Sequence, residues 1–101
     1  KVLLLDEPTS ALDLRHQVQV LSLAKEYTRQ HQVITIAVLH DLALAARYSD
    51  HLVLLNNGCV AQSGTRDDVL IPRYLRDTYR VEVDVGSCHY GHWHITPTEP
   101  I

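Results

Sequence analysis

The chain has 101 residues, 46% of them apolar and 21% charged, which is a globular composition with room for one modest core. Its net charge of −3 leaves no basic surface, so nucleic acid is not an expected partner. No apolar run approaches the ~18–20 residues of a membrane helix. The two cysteines fit a reduced cytosolic protein better than a disulfide framework.

The first elements predicted are a buried strand and a long helix. Residues 2–5 form an unbroken apolar run, as expected for a strand covered on both faces in a parallel sheet. Acids, a proline and hydroxyls follow, which is typical of a loop. Asp13 then suits a helix N-cap, and apolar residues recur at helical spacing over residues 14–30.

A second β-branched run, residues 33–39, ends at His40, and Asp41 is placed to cap a short helix over 42–48. A third apolar run covers residues 52–55. Because strands and helices alternate over the first 56 residues, the pattern predicts an α/β fold whose three strands share a parallel sheet.

The rest of the chain has a different character. The sequence Asn56-Asn57-Gly58 is a strong hairpin signal, and residues 59–63 are the predicted returning strand. Short helices are then predicted over 67–70 and 72–79 and strands over 80–85 and 92–96, followed by a frayed tail. We therefore expect an α/β part, 1–66, and a small helix–hairpin appendage with a tail, 67–101.

Asp6 and Glu7 stand where the first strand ends, and the carboxyl ends of parallel strands face the ligand crevice of an α/β sheet. An acid there can hold Mg²⁺ through water while the ion bridges phosphates, which suits Asp6. A second carboxylate one residue later can orient or deprotonate a water, which suits Glu7. Taken alone the pair has a simpler interpretation, since many strands end in acids that only cap a following helix.

The longer string LLLDEPTSALD, residues 3–13, resembles at every position the Walker B motif and D-loop of ATP-binding cassette (ABC) ATPases. The residues Val38-Leu39-His40-Asp41 look like the switch-histidine motif of the same family, and LVLLNNG, residues 52–58, continues the match. The resemblance covers roughly residues 1–85. It implies the C-terminal half of an ABC-type P-loop ATPase domain.

The resemblance also implies roles for individual residues. Asp6 would be the Walker B acid that holds Mg²⁺ through water, and Glu7 would be the catalytic carboxylate. Ser10 and Asp13 would belong to the D-loop and its nucleotide-binding surface at the dimer interface. His40 would contact the γ-phosphate. The implied cofactors are ATP and Mg²⁺, and the implied partners are a second ABC ATPase subunit and transmembrane permease subunits, which place the protein in the cytoplasm on the inner face of the membrane.

One branch of the family is most similar. The segment SALDLRHQ, residues 10–17, and the pattern around Ala45-Ala46-Arg47-Tyr48 resemble ATPase subunits of bacterial importers for iron–siderophore complexes, haem or cobalamin. His16 and Gln17 have a second interpretation, as exposed polar residues in the first turns of an amphipathic helix. The alternatives within and outside the enzyme class are an ABC ATPase of translation or DNA repair and a non-enzymatic truncated module.

Glycine occurs only at positions 58, 64, 86 and 91, so the chain has no glycine-rich loop of the form G-x-x-x-x-G-K-[ST] to hold phosphates. The glutamine loop and LSGGQ-type signature of the family are missing too. The chain begins inside a strand and contains no Met, so it reads as a fragment. We expect this fragment to be inactive alone, and its truncated sheet to expose apolar surface that aggregates or pairs with another chain.

Near the C-terminus, soft and imidazole side chains lie close together in sequence. They are Cys88, His89, His92 and His94, and the last two would project from one face of a strand. Such ligands can bind zinc or copper, but the spacing matches no standard site. Metal binding here is an open alternative to a solvated hairpin.

Overall fold

A computed structural model describes all residues 1–101, which form two compact units, Lys1–Tyr48 and Ser49–Ile101. The division into an α/β part with the ABC motifs, 1–66, and a helix–hairpin appendage, 67–101, stays a prediction. The helices and strands, with their observed bounds, are β1 Val2–Asp6, α1 Leu14–His31, β2 Ile34–Val38, α2 Leu42–Tyr48, β3 Leu52–Asn56, β4 Cys59–Gly64, α3 Arg66–Val69, α4 Pro72–Tyr79, β5 Val81–Ser87 and β6 Trp93–Pro100.

The first unit is a β–α–β motif followed by a short helix. β1 and β2 pair in parallel, with Val2 opposite Ile34 and Asp6 opposite Val38, and α1 is the crossover between them. Asp13 caps α1 as predicted, since its carboxylate accepts the backbone N–H of His16 at 3.0 Å. The side chain of Asp41 likewise accepts an N–H of α2, from Leu44 at 3.0 Å.

Only one face of this parallel pair is covered. The threonines Thr28 of α1 and Thr35 of β2 share a hydrogen bond of 2.6 Å on that face. The expectation that the first strand is buried on both faces is wrong, because Val2 and Leu4 remain 56% and 71% exposed. An apolar run predicts that both faces of a strand are buried. The elements that pack against those faces are not specified by the run itself.

The second unit contains two antiparallel hairpins and two short helices. β3 pairs with β4 through a turn in which Asn57 and Gly58 both have positive φ, 52° and 77°, as a primed turn requires. The prediction that β3 joins the parallel sheet is therefore wrong: its hydrogen-bonded neighbour is β4. The apolar core of this unit is formed by the buried residues Leu54, Val69, Leu70 and Leu75.

The predicted frayed tail is instead part of a strand. β6 runs to Pro100 and pairs with β5, with Pro97 opposite Val83 and Pro100 opposite Val81. A register irregularity lies between Glu82 and Val83. Proline is tolerated here because β6 is an edge strand, where the missing N–H need not serve a second neighbour.

Candidate functional site

The parallel ends of β1 and β2 bring Glu7 and His40 together. The backbone N–H of Glu7 donates to the carbonyl of Val38 at 3.0 Å, which extends the parallel pairing one residue beyond β1. His40 follows two residues later, and its Nε2 is hydrogen-bonded to Oε1 of Glu7. An ionised carboxylate can only accept, so the Nε2–H of the imidazole is the donor. Two residues that lie 33 positions apart in the sequence thus form one acid–imidazole pair.

The backbone at Glu7 has an unusual conformation. Its φ of 50° lies in the left-handed region, which costs a non-glycine residue about 1 kcal/mol or more. Two successive turns follow, in which Ser10 donates to the carbonyl of Glu7 at 3.3 Å and Leu12 donates to that of Thr9 at 3.2 Å. Thr9 is buried within this loop at 6% exposure. The surrounding turns therefore hold Glu7 in a conformation it would not choose alone.

Asp6 is the last residue of β1, and its side chain differs from that of Glu7 in having no protein partner. No hydrogen bond or ion pair engages its carboxylate, and the residue is exposed. Carboxylate oxygens are ligands that Mg²⁺ accepts, most often one or two together with waters and phosphate oxygens. The chemistry and freedom of Asp6 therefore fit the predicted magnesium acid.

The two predicted D-loop residues have different surroundings. Ser10 lies exposed in the loop after Glu7, with its backbone N–H in the first turn. The carboxylate of Asp13 instead faces α1, where it accepts from the backbone and from Nδ1 of His16 at 3.0 and 2.7 Å. The backbone hydrogen bond of His16, together with its side chain, holds the pKa of Asp13 below its ordinary value. The nucleotide-binding roles of Ser10 and Asp13 stay predictions.

Comparison with known proteins shows which proteins this chain is similar to. No protein-family model matches the chain. It is 41% identical over 86 residues to the hemin import ATP-binding protein HmuV of Vibrio vulnificus (strain YJ016), covering 85% of this chain and 33% of that protein. It is 49% identical over 84 residues to the HmuV of Enterobacter cloacae, covering 83% and 32%. The achromobactin transport ATP-binding protein CbrD of Dickeya dadantii (strain 3937) is 43% identical over 92 residues, covering 91% and 34%.

A solved structure agrees with these relatives. A metal-chelate type ABC transporter in an inward-facing conformation matches 97% of this chain and 40% of its own chain, with a TM-score of 0.78 and 27% identity. The chain is thus similar in sequence and fold to part of the ATP-binding subunits of ABC transporters. It spans about a third of the length of the curated relatives it matches. The family resemblance carried by residues 3–13 and 38–41 is confirmed, and so is the α/β class predicted from the alternation of strands and helices over the first 56 residues.

One residue that the structure places at the site, Gln17, has no signal in the sequence that assigns it there. The side-chain amide of Gln17, on the first turns of α1, donates to the carbonyl of Leu12 at 3.1 Å and to that of Thr9 at 3.4 Å. Gln17 is partly buried, so its interpretation as an exposed helix residue is wrong. The glutamine lies four residues after the N-cap, but nothing in that spacing shows that it folds back onto the loop.

Residues 88–94, which include Cys88, His89, His92 and His94, offer no preformed metal centre. No group of three or more His, Cys, Asp or Glu side chains converges in a metal-binding arrangement. The ring of His94 lies across the hairpin against Gly86, where an added Cβ would stand 2.6 Å from its Nε2. Cys88 is exposed, and backbone hydrogen bonds from Tyr90 and His92 hold the pKa of its thiol below the ordinary value.

No helix is both long enough and apolar enough to span a membrane.

Proposed function

We propose that this chain supplies the Walker B, D-loop and switch-histidine segment of the ATP-binding subunit of a bacterial ABC importer. The observation that carries the proposal is the contact of Glu7 with His40 at adjacent parallel strand ends, with Asp6 free beside them. The proposed cargo is an iron–siderophore complex, haem or a related metal chelate. The hemin and achromobactin functions in the names of the relatives support that class.

The proposed chemistry divides between the two members of the acid–imidazole pair. One oxygen of Glu7 accepts the His40 N–H, and the other is free to accept a proton from an attacking water. The hydrogen bond keeps the Glu7 carboxylate turned toward the strand ends. Glu7 is therefore the residue that orients and deprotonates the water.

His40 has to divide its single donor between two partners. A neutral imidazole carries one N–H, so His40 gives it either to Glu7 or to a phosphate oxygen. The side chain is 76% exposed, which leaves it room to turn from one acceptor to the other. We infer that the predicted γ-phosphate contact of His40 requires its N–H to be released from Glu7.

Asp6 would hold Mg²⁺ in the full subunit. Mg²⁺ held there would supply positive charge to offset that of the phosphates. Replacement of the Asp6 carboxylate would therefore weaken magnesium-dependent nucleotide binding, whereas replacement of Glu7 would act on the water. The proposed partners of the full subunit are a second ATPase subunit and the permease, at the cytoplasmic face of the membrane.

A chimera tests the catalytic assignment. The matched segment of the Vibrio vulnificus HmuV would be replaced by residues 1–101, and ATP turnover and ATP affinity would be measured. We expect hydrolysis by the chimera and a kcat lower by about 100-fold or more in its Glu7→Gln variant, with ATP binding retained. Glu26→Gln, the same change at an exposed site of α1, is the control. Turnover by Glu7→Gln near that of the control would remove Glu7 from the catalytic role.

The same chimera tests the transport assignment. It would be expressed in Vibrio vulnificus lacking its own HmuV, with hemin as the iron source. We expect growth with the chimera and none with its Glu7→Gln variant, because uptake needs hydrolysis. A chimera that hydrolyses ATP but supports no growth, although it is produced at the level of HmuV, would contradict the importer proposal and favour a non-transport ATPase.

The isolated chain is proposed to be inactive. Its site has the acid, the carboxylate and the imidazole, but the sequence contains no glycine-rich loop to provide a cradle of backbone N–H groups and a lysine for phosphates. Equilibrium dialysis of the 101-residue chain with ATP and Mg²⁺ should therefore show no micromolar binding. Micromolar affinity would contradict this proposal without touching the role of Glu7.

A further inference from the structure

Gln17 connects α1 to the loop that follows Glu7. Its Nε2 donates to two carbonyl oxygens, at 3.1 Å on Leu12 and 3.4 Å on Thr9. Both partners are acceptors, so only the NH₂ end of the amide can face them. A glutamate of the same shape would present oxygen to oxygen at this position.

The two carbonyls that Gln17 contacts belong to the most constrained part of the loop. The carbonyl of Thr9 also accepts the N–H of Leu12, and Thr9 itself is buried. Asp13 is fixed as the helix N-cap immediately afterwards. Residues 9–13 are thereby tied to the first turns of α1 from both the backbone and the Gln17 side chain.

The constraint extends back to Glu7 through the preceding turn. Ser10 donates its N–H to the carbonyl of Glu7 at 3.3 Å, and Glu7 has a left-handed φ of 50°. A conformation of this kind persists only when surrounding contacts over-determine it. The contacts available are the Val38 carbonyl on one side and the braced loop on the other.

We propose that Gln17 is a positioning residue that sets the placement of the Glu7 carboxylate by bracing residues 9–12. Its catalytic part rests on the proposed function of Glu7, whereas the brace itself does not. Gln17 contacts loop carbonyls of its own chain and contributes no group to the reaction. Its loss should therefore reduce kcat by a larger factor than it raises the KM for ATP.

Two variants of the HmuV chimera test the brace. Gln17→Glu removes both donors at constant shape, and Gln17→Met removes them without adding charge. Gln19→Glu makes the same charge change at an exposed position of the same helix and is the matched control. Hydrogen exchange of the peptide over residues 7–12 should accelerate in both Gln17 variants and not in the control. Unchanged exchange in both would overturn the proposal.

A double-mutant cycle tests the coupling to Glu7. We expect kcat to fall about tenfold in Gln17→Glu, since misplacing a catalytic group by about 1 Å costs up to 100-fold. In the Glu7→Gln background the same change should have almost no further effect, because there is no carboxylate left to place. A change in KM alone, or an equal loss in both backgrounds, would contradict the positioning role.

The two arms separate the possible failures. If the unmutated chimera folds but hydrolyses no ATP, the proposed function fails, and the exchange experiment alone decides whether Gln17 braces the loop. If Gln17→Glu does not fold, the uncharged Gln17→Met carries both measurements. Faster exchange with an unchanged kcat would leave a structural brace and remove the positioning role.

Discussion

Asp13 lies between α1 and the loop that follows Glu7, residues 8–12, and its ionisation should affect the start of that helix. The hydrogen bonds from the backbone and side chain of His16 lower the pKa of the carboxyl from its ordinary value of 3.8. The charged form therefore stabilises the folded chain above pH 3.8, and this contribution is lost as pH falls through the lowered folded-state pKa.

Asp13→Asn isolates this contribution. Asparagine is also a good N-cap but does not titrate, so the variant should keep α1 at neutral pH. Below pH 3.8 the wild type should lose helicity relative to Asp13→Asn, as measured by far-ultraviolet circular dichroism. The two chains share every other carboxyl group, so the difference between their acid profiles reports Asp13. Parallel acid profiles would show that the charge of Asp13 contributes nothing.

The sequence singles out the acid pair and the histidine as candidates because each stands in a recognisable string at a strand end. It could not show that Glu7 and His40 touch, since that depends on the parallel register of β1 and β2. Gln17 was overlooked for a related reason. Its proposed role depends on hydrogen bonds from its side chain to the carbonyls of Thr9 and Leu12. A sequence pattern does not show which backbone groups a side chain contacts.

At the scale of elements, strong local signals predict the bounds of helices and hairpins well. They do not predict which strands pair with each other. Caps and proline located the helices, and Asn57-Gly58 located the first hairpin. The apolar run at β3 does not specify its neighbour, and the hairpin turn pairs it with β4 rather than with the parallel strands. The prolines of β6 suggested a tail because proline opposes central strands, whereas an edge strand accommodates them.

The junction of β4 and α3 depends on Gly64. A Cβ there would stand 2.7 Å from Oδ2 of Asp68, and the φ of 148° disfavours any side chain. That same oxygen accepts the backbone N–H and the hydroxyl of Thr65 at 3.1 and 3.0 Å, which fixes the start of α3. Gly64→Ala should therefore displace Asp68 and weaken this cap.

We expect Gly64→Ala to lower the free energy of unfolding by about 2 kcal/mol, from backbone strain together with the damaged cap. Gly91→Ala is the matched control, since its φ of 81° is also positive but nothing lies within 4 Å of an added Cβ. Urea unfolding would measure both. If contact with the carboxylate of Asp68 is responsible, Gly64→Ala should cost less in an Asp68→Ala background, and an unchanged cost there would refute that cause.

At the scale of the whole molecule, the parallel pair leaves an apolar face open. Alternate residues of β1 and β2 project from it and are 49–71% exposed, namely Val2, Leu4, Ile34, Ile36 and Val38. Contiguous apolar surface of this kind is uncommon on soluble monomers and marks a face that another surface covers. The predicted association through exposed apolar surface is thereby assigned to this face of β1 and β2.

The isolated 101-residue chain should self-associate through this face, with the degree of association set by concentration. Leu4 and Ile36 are register partners at its centre, so Leu4→Lys with Ile36→Lys should shift the chain toward monomer in sedimentation velocity. The control places the same two charges at Leu14 and Leu23, which are 80% and 69% exposed on α1. Circular dichroism would show whether both variants retain their helices. Equal association of the two folded variants would exclude the sheet face as the contact, whereas loss of association only in the sheet variant would assign it there.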